Sequence, residues 1–112
     1  ISGNVIAVPS LTAGGQQRKL PHIGWNALIL PEGNEDWAGT TLLDNIEPNE
    51  SVYFVHSFMA NPKESHHRIA NCLYGNVSIA SVIGKENIWG CQFHPEKSGE
   101  TGLKMLKNFL SV

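Results

Sequence analysis

A histidine, a proline and a glutamate arrive together near the end of the chain, in Gly90-Cys91-Gln92-Phe93-His94-Pro95-Glu96-Lys97-Ser98-Gly99. The run that leads to them, through Ile88, Trp89, Cys91 and Phe93, is apolar and reads as a buried strand. Proline has no backbone N–H and a fixed φ, so pairing is expected to stop at Pro95 and His94 to be held extended. Residues two apart on an extended chain project to the same side, which would bring Glu96 to the His94 imidazole; on a helix the two would diverge. A carboxylate beside an imidazole fixes its tautomer and supports the imidazolium formed during proton transfer. These are the base and the orienting group of a nucleophilic triad, and the nucleophile remains to be found.

The two cysteines, Cys72 and Cys91, each lie inside an apolar strand-like run, Cys91 only three residues before His94. A single cysteine pair does not make a disulfide framework, so both are expected to be reduced. His56 closes the β-rich stretch Ser51-Val52-Tyr53-Phe54-Val55-His56-Ser57-Phe58 and is read as a structural histidine, with a catalytic role as the alternative. Metal binding by His22, His56, His66, His67 and His94 is not expected. Adjacent His66 and His67 would point to opposite sides of an extended segment, and no Cys-x-x-Cys or His-Glu-x-x-His spacing occurs. No cofactor is expected either.

The elements that must position these groups follow from composition and periodicity. The 112 residues, 41% hydrophobic, suit one small domain with a core. Eight Lys+Arg against ten Asp+Glu give a net charge of −2, with no basic run to track a phosphate backbone, so nucleic acid is not an expected partner. No apolar stretch approaches the roughly 20 residues that span a bilayer and no signal peptide is recognisable, so a soluble, cytoplasmic protein without membrane attachment is expected. The opening Ile1-Ser2-Gly3 lacks an initiator methionine, and the chain is expected to be the later part of a longer one.

Residues 5–8 read as a strand closed by Pro9, and residues 10–19 as a polar, glycine-bearing loop. Neither periodicity explains Leu20-Pro21-His22-Ile23-Gly24-Trp25-Asn26. It is a loop whose Trp25 packs on the core, or it presents Trp25 at a partner interface. Residues 27–30 read as a strand ended by Pro31, residues 32–39 as an acidic loop around Trp37, and residues 41–46 as one helical turn. After the strand at 51–58 comes a polar loop with Pro62, then two β runs about Gly75-Asn76 that predict a hairpin, a turn at 84–87 and the strand 88–93. Leu103, Leu106, Phe109 and Leu110 share one face of a terminal helix, with Ser98 or Thr101 as its cap.

With these residues in hand, Phe93-His94-Pro95-Glu96-Lys97-Ser98 resembles the motif that ends class I glutamine amidotransferase domains, whose triad is Cys-His-Glu. Pro21-His22-Ile23-Gly24-Trp25-Asn26, Tyr53-Phe54-Val55-His56-Ser57 and the hairpin at Tyr74-Gly75 are similar to the glutaminase subunits of imidazole glycerol phosphate synthase and their close paralogues. The resemblance covers nearly the whole chain. It implies an α/β fold with a mixed sheet and flanking helices, of which residues 1–112 would be the mostly β C-terminal part of a single domain, ending in one helix. It implies that His94 is the general base and acid and Glu96 its carboxylate, the catalytic pair. Backbone N–H groups of Ser57 and Phe58 would bind the α-carboxylate of glutamine. Pro21, His22, Trp25, Asn26, Tyr53 and Lys97 would lie toward a synthase (cyclase) subunit that receives the ammonia. The nucleophile of the family sits in a Gly-x-Cys-x-Gly elbow, which these residues do not contain, so it is expected upstream of Ile1. The alternatives are an inert, partner-binding module, and a paralogue that feeds a surface-sugar amidotransferase.

Overall fold

In the computed structural model, which describes residues 1–10, 14–15 and 17–111, the hairpin at Gly75-Asn76 is formed as its turn residues predict. Strand β5 (Arg68–Tyr74) pairs antiparallel with β6 (Val77–Lys85), and Gly75 takes the positive φ of 62° that the two-residue turn requires. A turn at Glu86-Asn87 then returns the chain as β7 (Ile88–Cys91) along the other edge of β6. This three-stranded meander delivers the chain to Phe93, which is buried.

Four more strands form two antiparallel pairs. The run at 5–8 is realised as β1 (Gly3–Ala7), while part of the loop expected at 10–19 lies outside the described residues. The stretch at 20–26 is not a loop. After Pro21 it forms β2 (His22–Ala27), which pairs with β3 (Ser51–His56) from His22↔His56 to Ala27↔Ser51. Its alternation is inverted: His22 points inward, while the apolar Ile23 and Trp25 are exposed. The alternation of Ile23, Trp25 and Ala27 with His22, Gly24 and Asn26 is that of a strand, but Pro21 and Gly24 punctuate the stretch as a loop would, and the apolar set marks the outer face instead of the core face.

The strand expected over 27–30 shrinks to one bridge between Ile29 and Asn71, although Leu28 is fully buried. The β-rich run at 51–58 is divided at Ser57, and residues after it, expected to be a loop, form β4 (Phe58–Pro62) against β1. Pro62 is tolerated there because it ends the strand opposite Gly3. The helical turn at 41–46 is a short 3-10 turn at Thr41–Leu43, and Trp37 is buried with its Nε1–H donating to the Ile46 carbonyl at 2.7 Å.

The terminal helix α1 (Gly99–Leu110) is present, with its apolar stripe turned outward: Leu103, Leu106, Phe109 and Leu110 are exposed. Gly102 and Met105 are buried instead. Apart from Met105, which enters the core, the inner face is small and polar because it docks partly through hydrogen bonds. Thr101 Oγ1 donates to Glu50 Oε1 at 2.8 Å, and Asn108 Nδ2 donates to the carbonyls of Leu42 and Asp44 at 2.9 and 2.8 Å. Leu28, Val52, Phe54, Ile79, Val82 and Met105 form the centre of the core that joins helix and strands. The mostly β portion ending in one helix matches the expectation, and every strand pair among the described residues is antiparallel.

Candidate active site

β7 stops at Cys91, two residues earlier than the apolar run suggests, because the chain changes partner. The Gln92 N–H still donates to the Ser81 carbonyl on β6 at 2.9 Å, whereas the His94 N–H donates to the Tyr53 carbonyl on β3 at 3.0 Å. His94 keeps the extended conformation expected before proline, with φ −106° and ψ 98°. Beyond it the expectation of an extended chain fails: residues Pro95–Lys97 form a 3-10 turn. Proline at its first position suits such a turn, since no N–H is required there.

Glu96 nevertheless meets the imidazole, with Oε1 3.3 Å from His94 Nδ1. The contact arises from an extended residue followed by a tight turn, a geometry in which residues two apart can face each other. Both side chains are open to solvent, Glu96 more than His94. The carboxylate at Nδ1 holds the proton on that nitrogen and leaves Nε2 as the site that can accept or deliver one.

Hydrogen bonds lock this turn to β3, and close packing fixes it on α1. Ser98 is buried, and its hydroxyl donates to the His94 carbonyl at 2.6 Å while accepting the Tyr53 N–H at 3.0 Å. Together with the bond from His94 N–H to Tyr53 C=O, this closes a ring of three hydrogen bonds through His94, Tyr53 and Ser98. Ser98 is the N-cap residue of α1 by position, yet its hydroxyl makes no capping bond, because it is committed to the turn. Thr101 does not cap either; it binds Glu50. On the α1 side, Gly102 is packed so closely under Pro95 that a Cβ would collide with the Pro95 carbonyl. Nothing in local periodicity announces Ser98 or Gly102 as part of the site, though a glycine inside a helical pattern is a sign of close approach.

Two more histidines stand behind this turn. His56, expected to be structural, is buried, with Nδ1 2.7 Å from the Phe58 carbonyl and Nε2 2.7 Å from His22 Nδ1. His22 Nε2 lies 2.8 Å from Asn26 Nδ2. Burial, reinforced by His56, lowers the His22 pKa to about 4. Burial also lowers that of His56, opposed by its bond to the Phe58 carbonyl and aided by the nearby His94.

The residues assigned to a partner surface divide into two sets. Pro21, Trp25 and Lys97 are exposed and Tyr53 and Asn26 half-buried, with Trp25 and Tyr53 in edge contact at 5.8 Å. His22 is buried, its ring between Phe54 and Tyr74 at centroid distances of 4.9 and 4.1 Å. Ser57 marks the switch from β3 to β4, and its carbonyl accepts the Val8 N–H at 2.9 Å. Burial pushes the thiol of Cys72 up to about 11 and that of Cys91 up to about 12, values unsuited to a nucleophile. His66 and His67, expected on opposite sides of an extended segment, lie instead in a 3-10 turn with ring centroids 4.3 Å apart. Among the described residues no three His, Cys, Asp or Glu side chains are grouped to hold a metal ion, and no helix is long and apolar enough to cross a membrane.

Comparison with known proteins places these features in a family. The family model described as glutamine amidotransferase class-I matches residues 2–112. The chain is 53% identical over 112 residues to imidazole glycerol phosphate synthase subunit HisH 1 of Legionella pneumophila (strain Lens), covering 100% of this chain and 52% of that protein. It is 42% identical over 112 residues to the HisH subunit of Geobacillus sp. (strain WCH70), covering 100% and 49%. With the HisH subunit of Caldanaerobacter subterraneus subsp. tengcongensis it shares 45% over 107 residues, covering 96% and 46%. The chain thus spans about half the length of the curated relatives it matches.

Proposed function

This chain belongs to the class-I glutamine amidotransferase family, and from that premise we propose that it supplies the base, its orienting carboxylate and the substrate-carboxylate site of a glutaminase that delivers ammonia to a synthase subunit. The observation that carries the reading is the His94 Nδ1 to Glu96 Oε1 contact of 3.3 Å on a turn locked to β3. The relatives named as subunits of imidazole glycerol phosphate synthase favour the cyclase of histidine biosynthesis as the acceptor over a surface-sugar amidotransferase.

In this reading the nucleophilic cysteine lies outside these 112 residues, in agreement with the high thiol pKa values of Cys72 and Cys91. Its thiolate attacks the side-chain amide carbon of glutamine. His94, protonated at Nε2, gives that proton to the departing nitrogen, so ammonia leaves and a thioester remains. His94 then takes a proton from water as the water attacks the thioester, releasing glutamate and restoring the thiolate. Glu96 keeps the Nδ1 proton in place through both steps. The backbone N–H groups of Ser57 and Phe58 hold the α-carboxylate, and Pro21, Trp25, Asn26, Tyr53 and Lys97 face the cyclase. Exposure of Trp25, in edge contact with half-buried Tyr53, supports that orientation.

The test is His94→Asn in the intact protein assembled with its cyclase. Glutamine-dependent synthesis should be lost while synthesis from added ammonium continues, because only the glutaminase chemistry needs the imidazole. Glutamine-dependent synthesis at the wild-type rate would overturn the proposal.

A further inference from the structure

The bonds behind the site form a chain with one possible direction. A carbonyl only accepts, so His56 Nδ1, 2.7 Å from the Phe58 oxygen, carries a hydrogen. Neutral His56 therefore presents a lone pair at Nε2, and His22 Nδ1, 2.7 Å away, must donate to it. Neutral His22 in turn presents a lone pair at Nε2, which accepts from the Asn26 amide nitrogen at 2.8 Å. The hydrogen bonds run Asn26 to His22 to His56 to Phe58, and the state of each member fixes the next. Burial keeps both imidazoles neutral, so the direction is stable near neutral pH.

This chain ends where the backbone changes ladders. β3 pairs with β2 and β4 pairs with β1, and Ser57 alone separates them. The peptide on one side of Phe58 is held by Val8 N–H on the Ser57 carbonyl, and the peptide on the other side by His56 on the Phe58 carbonyl. His22 cannot swing away, because Phe54 and Tyr74 stack on its two faces at interplanar angles of 21° and 20°. A buried polar chain is costly unless every member is satisfied, and here all the bonds converge on one backbone position.

We propose that His56 and His22 are positioning residues for glutamine binding, which hold the Ser57–Phe58 backbone in the conformation that receives the α-carboxylate. This rests on the placement of that carboxylate proposed above. Neither histidine touches the reacting atoms; they act through the backbone, so their signature is a change in KM more than in kcat.

The test uses the intact protein with its cyclase. His56→Leu removes the donor to Phe58, His56→Asn keeps a donor near the Nδ1 position, and His22→Leu removes the donor that fixes the His56 tautomer. His56→Leu and His22→Leu should raise the KM for glutamine about tenfold with kcat changed less than about threefold, and His56→Asn should restore most of the loss. An unchanged KM in folded His22→Leu, or no rescue by His56→Asn, overturns the proposal. Should His56→Leu fail to fold, nitrogen-15 spectra of the wild-type imidazoles decide: Nδ1–H tautomers at both His22 and His56 support the chain, and an Nε2–H tautomer at either overturns it. Adding glutamine to wild type should also shift the amide resonances of Ser57 and Phe58. No shift there refutes the carboxylate placement itself, and the positioning role with it. Shifts with the same concentration dependence in wild type and His22→Leu would refute the positioning role alone.

Discussion

The Tyr53 carbonyl accepts the His94 N–H at 3.0 Å, so the proposed base is held by β3 although its own strand has already ended on β6. The return bond passes through Ser98, whose hydroxyl bridges the Tyr53 N–H and the His94 carbonyl. Ser98→Ala would leave two part-buried backbone groups without that partner. The expected cost is about 1–3 kcal/mol of stability, read as a lower urea midpoint, together with a fall in kcat for glutamine hydrolysis as His94 loses its anchor. Unchanged kcat would show that Ser98 does not position the base.

Gly102→Ala sets two effects against each other. Alanine favours a helix interior by about 1 kcal/mol over glycine. Its Cβ, however, would fall on the Pro95 carbonyl, 2.8 Å from the carbonyl carbon and 3.0 Å from Ser98 Cβ. Overpacking of this kind costs about 1–3 kcal/mol, so the clash wins and the turn carrying Glu96 must move. Thermal unfolding should show a lower Tm, and kcat should fall with it; a stabilised, fully active variant would contradict the packing.

How much of this was legible in the sequence depended on whether the signal was local. Tight turns and local pairs were readable: Gly75-Asn76 made its hairpin, and His94 and Glu96 met, though through a 3-10 turn instead of an extended chain. The fold class and family were carried by ordered motifs over residues 2–112. β2 was obscured by Pro21 and Gly24, which read as loop residues, and its burial could not be read from the pattern because His22 faces inward while Ile23 and Trp25 face out. The buried face of α1 was hidden because Thr101, Gly102 and Asn108 dock by close approach and hydrogen bonds, while the conspicuous leucine stripe faces out. The chain from Asn26 to Phe58 was out of reach for the same reason: it joins residues that only the β2–β3 register brings together.

The two cysteines should be inert. Their thiols are held near pKa 11 and 12 by burial, so at pH 8 almost none of either is thiolate. Iodoacetamide should leave Cys72 and Cys91 unlabelled in the folded protein, and Cys91→Ala should retain glutaminase turnover in the intact protein. Loss of turnover on labelling Cys91 alone would reassign the nucleophile.

The buried histidines make stability depend on pH in a defined direction. His22 titrates at about 4 when folded against an ordinary value of 6.5, so between these values the unfolded chain binds more protons and stability falls as pH falls. The full effect, present below about pH 4, is a loss of about 3 kcal/mol relative to neutral pH, and His56 acts in the same direction. Urea unfolding of wild type and His22→Leu at pH 7 and pH 4.5 isolates this contribution from the carboxylates. The stability gap between the two proteins should narrow at the lower pH; a constant gap would mean that His22 is not buried as a neutral ring.

Glu96→Gln is the most direct test of the base-and-orienter pair, because the substitution keeps size and removes only the charge from an exposed side chain, leaving the fold undisturbed. Steady-state glutamine hydrolysis by the intact protein with its cyclase should drop in kcat by about two to four orders of magnitude, with KM and Tm close to wild type. A kcat within twofold of wild type would contradict the account, since His94 would then work without the carboxylate that the turn places beside it.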